Sequence, residues 1–181
     1  MNKCGAWLAS AAIAATSVFG LAPGLSAASV APPARLSAST SSDTASAVRD
    51  FRSAMSTQLR QYRASYGPRL SQAEQTRVDA LIAQSDADLA RLSNLAAATA
   101  TWDRRRNQAR AARAAKAAVA AFDLSYARAE AAVNELTPIL QPHLNVFEAL
   151  DAKAALDQRM AAYRNLGGQL RNVQASLRRG E

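Results

Sequence analysis

The chain has 181 residues, enough for one core, and 49% of them are hydrophobic. Its 22 lysines and arginines exceed its 14 aspartates and glutamates and give a formal net charge of +8, while one histidine and one cysteine are too few for a zinc site of several such ligands. Neither a glycine-rich phosphate loop nor a Gly-x-Ser-x-Gly elbow occurs in the sequence. The sequence therefore predicts a protein that is not an enzyme and has no catalytic residue, cofactor or metal.

The amino-terminal segment has the three parts of a secretory signal peptide. Lys3 gives a short, positively charged start, and residues 4–21 are uncharged and apolar or small. Pro23 then interrupts the apolar run, and residues 26–28 are the small residues that a signal peptidase recognises. We predict that residues 1–28 are a cleaved signal peptide and that the protein is exported to the periplasm or the extracellular space.

Cleavage would change both the chemistry and the partners of the mature chain. It removes Cys4, so the exported protein would hold no disulfide, thiol nucleophile or thiolate metal site. It also removes Lys3, which leaves 21 basic and 14 acidic residues and a net charge of +7. In the cell envelope this charge favours lipid head groups, lipopolysaccharide and other acidic polymers over nucleic acid as partners. No later segment is apolar enough to span a membrane, so we predict no transmembrane segment in the mature chain.

The rest of the chain is predicted to be all-α. Residues 29–42 are mostly Ala, Ser, Pro and Thr with one charge, and we predict a flexible leader there. Residues 43–181 are dense in good helix formers and show no alternating strand pattern, which predicts a helical domain. The few glycines and prolines that mark its turns are Gly67, Pro68, Pro138, Pro142, Gly167, Gly168 and Gly180. We expect antiparallel helical hairpins that form a small bundle or an elongated helical assembly.

Two helices are predicted to form a hairpin about Gly67. The first covers residues 43–66, and the second begins at Ser71, whose hydroxyl is placed to form a capping box with Glu74. Antiparallel folding brings arginines on one flank of the first helix level with aspartates on the second, which sets the register more than the stability. The predicted cross-pairs are Arg60 with Asp79 and Arg52 with Asp86.

A third helix is predicted over residues 101–136. The sequence leaves open whether it is continuous with the second helix, because residues 71–136 contain neither glycine nor proline. Thr137 is predicted to cap a fourth helix that has Pro138 at its first position. Pro142 interferes one turn later, so we expect a kink or a restart near His143.

The fourth segment changes its apolar phase along its length. Phe147 and Leu150 share one face, whereas Tyr163 and Leu170 share a face on roughly the opposite side. We therefore expect this helix either to bend or to bury two sides. Gly167 and its neighbouring glycine would be either a weak point within one helix or a hinge between two.

An arginine-rich segment of the third helix is the strongest candidate site. Trp102 falls out of phase with the apolar face of that helix and lies with the basic residues. Cations beside an indole suit an anionic surface, and the alternative is a solvated helix face with Trp102 packed on a neighbour. The residues predicted to bind an anionic surface are Trp102, Arg105, Arg106, Arg110, Arg113 and Lys116.

These features together predict an exported, non-enzymatic helical binding or scaffold protein of the bacterial cell envelope. Its basic amphipathic helices would contact anionic envelope material or a protein partner. One alternative is a periplasmic holdase-type chaperone that offers an apolar face to unfolded clients. The other is a structural subunit of a homo-oligomer, because the apolar positions are rich in alanine and each helix alone has a thin core.

Overall fold

A computed structural model of the chain describes residues 40–179. Within that range the chain forms four long α-helices and no strand, which confirms the predicted all-α class. In chain order they are α1 (Ser41–Tyr66), α2 (Gln72–Arg104), α3 (Gln108–Leu140) and α4 (Val146–Arg179). The predicted signal peptide, residues 1–28, and most of the predicted leader lie outside the described residues.

The four helices form an antiparallel bundle. Short 3₁₀ turns, Gly67–Arg69 and Gln141–His143, join α1 to α2 and α3 to α4, and three residues join α2 to α3. Each helix packs on the next in the chain, and α1 also packs on α4. Connections this short oblige consecutive helices to run in opposite directions. No helix between residues 40 and 179 has both the length and the apolar character needed to cross a membrane.

An aromatic cluster lies at the centre of the core. Tyr163 stacks on Phe51 with ring centroids 4.9 Å apart, and it meets Phe122 edge-on at 5.2 Å. Burial raises the pKa of Tyr163, and its hydroxyl lies 2.6 Å from the buried hydroxyl of Ser125, so the polar tip of the ring is satisfied. These contacts join α1, α3 and α4 across the bundle.

Capping boxes define the starts of α1 and α2. The Ser71 hydroxyl accepts a hydrogen bond from the Glu74 amide at the start of α2, as predicted. A second box, between Thr40 and Asp43, starts α1 at Ser41, two residues before the predicted start. The cap satisfies amides of the first turn that have no partner within the helix, so it decides where the helix begins.

One of the two predicted hairpin ion pairs is confirmed and the other is wrong. Arg52 lies 3.5 Å from Asp86 as expected. Asp79 instead accepts from Arg63, at 2.5 Å, while Arg60 donates to a serine hydroxyl one turn earlier in its own helix. Arg63 is closer to the turn than Arg60 by about one helical turn, so its side chain reaches Asp79 directly.

The predicted start of the fourth helix at Thr137 is also wrong. The Thr137 hydroxyl donates to the Val133 carbonyl within α3, and Pro138 lies inside that helix. A single proline removes only one hydrogen bond of the helix, and α3 continues for two more residues. The chain restarts after Pro142, near the expected position, where Asn145 exchanges hydrogen bonds with Glu148 to cap α4.

Helix α4 is continuous through its two glycines and buries one side only. A Cβ atom on Gly167 would lie 2.3 Å from the ring of Phe122, so this glycine permits a close approach of α4 to α3. A Cβ atom on Gly168 would meet nothing within 4 Å. Phe147 and Leu150 are 79% and 61% exposed, so α4 does not bury the second side that was offered as one alternative.

Candidate functional site

One end of the bundle gathers positive charge from three helix ends and a turn. We call it the basic end, and it comprises Trp102, Arg104, Arg105, Arg106, Arg110, Arg113, Lys116, Arg178 and Arg179. A small apolar cluster assembles it, in which Val173 and Leu177 of α4 pack against Ala111 and Ala115 of α3. This packing brings the last turn of α4, with its two terminal arginines, to the residues predicted from the sequence.

The turn between α2 and α3 holds an arginine in a conformation that usually belongs to glycine. Arg106 has a φ of 56°, in the left-handed region. Its amide bonds to the Asp103 carbonyl, and the amide of Asn107 bonds to the Trp102 carbonyl, each at 3.0 Å. These bonds form a Schellman motif, whose left-handed residue is commonly glycine. Because no glycine marks the turn, the sequence left the break between the second and third helices open.

The break changes where the predicted site residues lie. The structure separates α2 from α3, so the third helix begins at Gln108 instead of residue 101. Arg105 and Arg106 consequently lie in the turn, and the expectation that they belong to the third helix is wrong. Asn107 accepts a hydrogen bond from the Arg110 amide and caps α3, so the turn and the first basic residue of α3 are held together.

Trp102 organises two of the arginines. Its indole is half-buried against the small apolar cluster at the basic end. The guanidinium carbons of Arg105 and Arg110 lie over the ring, 5.6 and 4.7 Å from its centroid. These distances are within the range of cation–π attraction. Trp102 therefore both packs on a neighbour and lies with the basic residues, which were alternatives in the sequence analysis.

Among residues 40–179, the cations of the basic end form no ion pair with an acid. All eight ion pairs found between residues 40 and 179 involve other basic residues, such as Arg77 with Glu135 and Arg128 with Asp88. The carboxylate of Asp103 accepts a hydrogen bond from the Ser41 hydroxyl at 2.7 Å. All eight arginines and lysines of the basic end are exposed. Their charges face solvent and are available to an external anion.

At the opposite end of the bundle, basic side chains contact acidic ones. Arg69 binds Glu148 across the helix ends, and the ring Nε2 of His143 lies 3.2 Å from Glu74. Hydrogen bonds from the hydroxyl and amide of Ser71, followed by His143, lower the pKa of Glu74 to about 2. His143 therefore lies in a turn, as expected, and its contact with Glu74 is structural.

The described residues offer no enclosed site for a small molecule. A cavity of about 20 Å³ beside Ser125 and Tyr163 is close to the size of one water molecule. Asp123, on the exposed side of α3, is bound to Arg171 at 2.6 Å. No group of three potential metal ligands is found between residues 40 and 179. The basic end is thus the candidate site, and it is a surface.

Comparison with known proteins gives no relative from which a function could be inferred for this chain. No protein-family model, curated protein or solved structure matches the chain.

Proposed function

We propose that the protein is an exported helical scaffold whose basic end binds phosphate-bearing anionic material of the bacterial cell envelope. The observation that supports this proposal is a group of eight exposed cations at one end of the bundle, none of which belongs to an ion pair found between residues 40 and 179. The remaining basic residues include many that neutralise acids on neighbouring helices. Such segregation of charge creates a local positive potential that attracts an anionic surface.

Arginine chemistry favours phosphate as the group that is recognised. Seven of the eight cations are arginines, and a planar guanidinium donates two parallel hydrogen bonds to a phosphate. Trp102 holds Arg105 and Arg110 over its ring, so these two side chains lose less conformational freedom when they bind. The site has no deep cavity, so its partner is an extended surface or polymer that several arginines contact together.

The binding experiment uses vesicles of phosphatidylglycerol and phosphatidylcholine, compared with pure phosphatidylcholine, at low and high salt. We expect sedimentation of the protein only with the anionic vesicles, and weaker binding at high salt because the contacts are exposed. Soluble polyphosphate should compete with the vesicles, and an equal charge of polyglutamate should compete less. If the protein binds polyphosphate but not the vesicles, the site belongs to phosphate polymers. If the protein binds the vesicles and polyphosphate does not displace them, the site belongs to lipid head groups.

Two triple variants separate the basic end from net charge. The test variant carries Arg105→Gln, Arg106→Gln and Arg110→Gln, and the matched control carries Arg49→Gln, Arg60→Gln and Arg91→Gln. The control residues are also exposed and belong to none of the ion pairs found between residues 40 and 179, but they lie within α1 and α2, outside the basic end. At about 1 kcal/mol per basic residue near an anionic membrane, the test variant should bind roughly a hundredfold more weakly. Equal losses in the two variants would refute the proposal.

A further inference from the structure

The start of α4 exposes three large apolar side chains within a well-capped helix. Val146, Phe147 and Leu150 are 73%, 79% and 61% exposed. Asn145 and Glu148 cap this helix start, and Arg69 binds Glu148, so the three side chains are displayed on a formed helix. A cluster of large apolar residues that remains exposed after folding is typical of a protein–protein contact.

The outer face of α4 continues from this cluster as a line of small residues. Positions seven residues apart lie nearly on one line along a helix. Starting from Phe147, the exposed positions of this line are Ala154, Ala161, Gly168 and Ala175. Side chains this small let another helix approach closely, and Gly168 has open space where a Cβ would lie.

Charge along α4 is divided between its two halves. The first half carries the exposed acids Asp151 and Asp157 and one exposed base, Lys153, while residues 158–177 contain three arginines and no acid. An antiparallel second copy of α4 would place the acidic half of each helix against the basic half of the other. A parallel copy would instead bring like charges together, so the charge pattern selects the antiparallel arrangement.

We propose that the protein forms a two-fold symmetric dimer in which α4 packs antiparallel on α4 of a second copy. A two-fold axis at Ala161 places Ala154 opposite Gly168 of the second copy, and Phe147 opposite Ala175. The axis brings the same flank of both helices together. Asp157 and Arg164 lie on one flank, seven residues apart, so each Asp157 faces Arg164 of the other copy. Within one copy Asp157 pairs with Lys153 and Arg164 donates to the Tyr126 hydroxyl, and both side chains remain exposed. This inference is independent of the anion site, which uses other residues.

The first experiment measures mass by sedimentation equilibrium of the purified protein over a wide range of concentration. We expect a monomer–dimer equilibrium, and Phe147→Asn should weaken dimerisation at least about tenfold because an exposed aromatic anchor is lost. Leu124→Asn is the matched control, since Leu124 is 47% exposed on α3 and lies outside the proposed contact. A monomer at every concentration, or an unchanged dimer in Phe147→Asn, would overturn the proposal.

Charge reversal tests the register. Asp157→Arg and Arg164→Asp should each weaken the dimer, and the double variant should restore it, because each reversed charge again faces an opposite charge. Circular dichroism checks that the single variants fold. Failure of the double variant to recover would reject this register. If the monomer instead suppresses the aggregation of an unfolded client, and Phe147→Asn abolishes this suppression, the exposed cluster is the client-binding surface of a chaperone.

Discussion

Arg106 shows how a single residue can oppose local stability. Its left-handed backbone conformation costs a side chain with a Cβ about 1–2 kcal/mol relative to the right-handed form. Glycine avoids this cost, and glycine is the usual residue at this position of a Schellman motif. An arginine here is consistent with a role for its charge in the proposed anion site.

We predict that Arg106→Gly raises the free energy of unfolding by up to about 1 kcal/mol and weakens binding to anionic vesicles. The matched control is Arg105→Gly, which removes the same charge from a residue whose φ of −81° suits any side chain. That control should lower stability, because glycine there adds only freedom to the unfolded chain. Urea unfolding and vesicle sedimentation measure the two effects, and equal stability changes would contradict the strain argument.

Glu74 gives a residue-scale prediction about pH. Its pKa is lowered from 4.5 to about 2 by hydrogen bonds from Ser71 and then His143. Because the folded-state pKa is below the unfolded-state value, the contribution of Glu74 to stability is present above pH 4.5. It is lost as the pH falls towards 2. Arginine partners lower the pKa values of Asp79, Glu135 and Glu148 in the same direction.

We therefore expect the melting temperature to fall steadily between pH 4.5 and pH 2. Ser71→Ala should raise the pKa of Glu74 towards its ordinary value and cost about 1 kcal/mol through the lost helix cap. Carboxyl NMR titration of Glu74 and urea unfolding are the measurements. The control is Ser65→Ala, which alters an exposed serine within α1. A Glu74 titration that is the same in both variants would show that the capping box does not set its pKa.

At the scale of the element, the two glycines of α4 differ in their surroundings. Gly167 lies against the ring of Phe122, whereas Gly168 faces open space. We predict that Gly167→Ala destabilises the fold by about 1–3 kcal/mol through overpacking. Gly168→Ala should stabilise it by up to about 1 kcal/mol through helix propensity. Urea unfolding at low protein concentration compares them, and stabilisation by both substitutions would mean that α3 and α4 are not packed closely here.

For the whole molecule, the two proposals combine into a prediction about bivalency. An antiparallel α4 pair places the basic ends of the two copies towards opposite ends of the dimer. Such a dimer should cluster anionic vesicles, which turbidity measures, because each copy can bind a different vesicle. Phe147→Asn should still bind vesicles but should not cluster them. If a variant shown to be monomeric still clusters vesicles, clustering does not depend on the dimer and this prediction is wrong.

The sequence by itself determined the features that depend on neighbours along the chain. The all-α class, the Ser71 capping box, the turn at Gly67 and the local density of arginines near Trp102 follow from helix propensity, capping and composition. Each of these acts over a few residues. The predicted register of the first hairpin was accurate enough to identify the ion pair between Arg52 and Asp86, because a short turn restricts how two helices align.

Only the tertiary structure decided which side chains meet. Asp79 selects Arg63 over Arg60 by reach across two packed helices, and α3 continues through Pro138 because its neighbouring turns remain bonded. Arg178 joins the basic end because apolar packing, and not sequence proximity, brings α4 there. Phe147 has the hydrophobicity of a core residue but stays exposed, because the bundle covers only the opposite side of α4. Burial depends on the packing of several helices together, whereas a helical pattern is encoded within one.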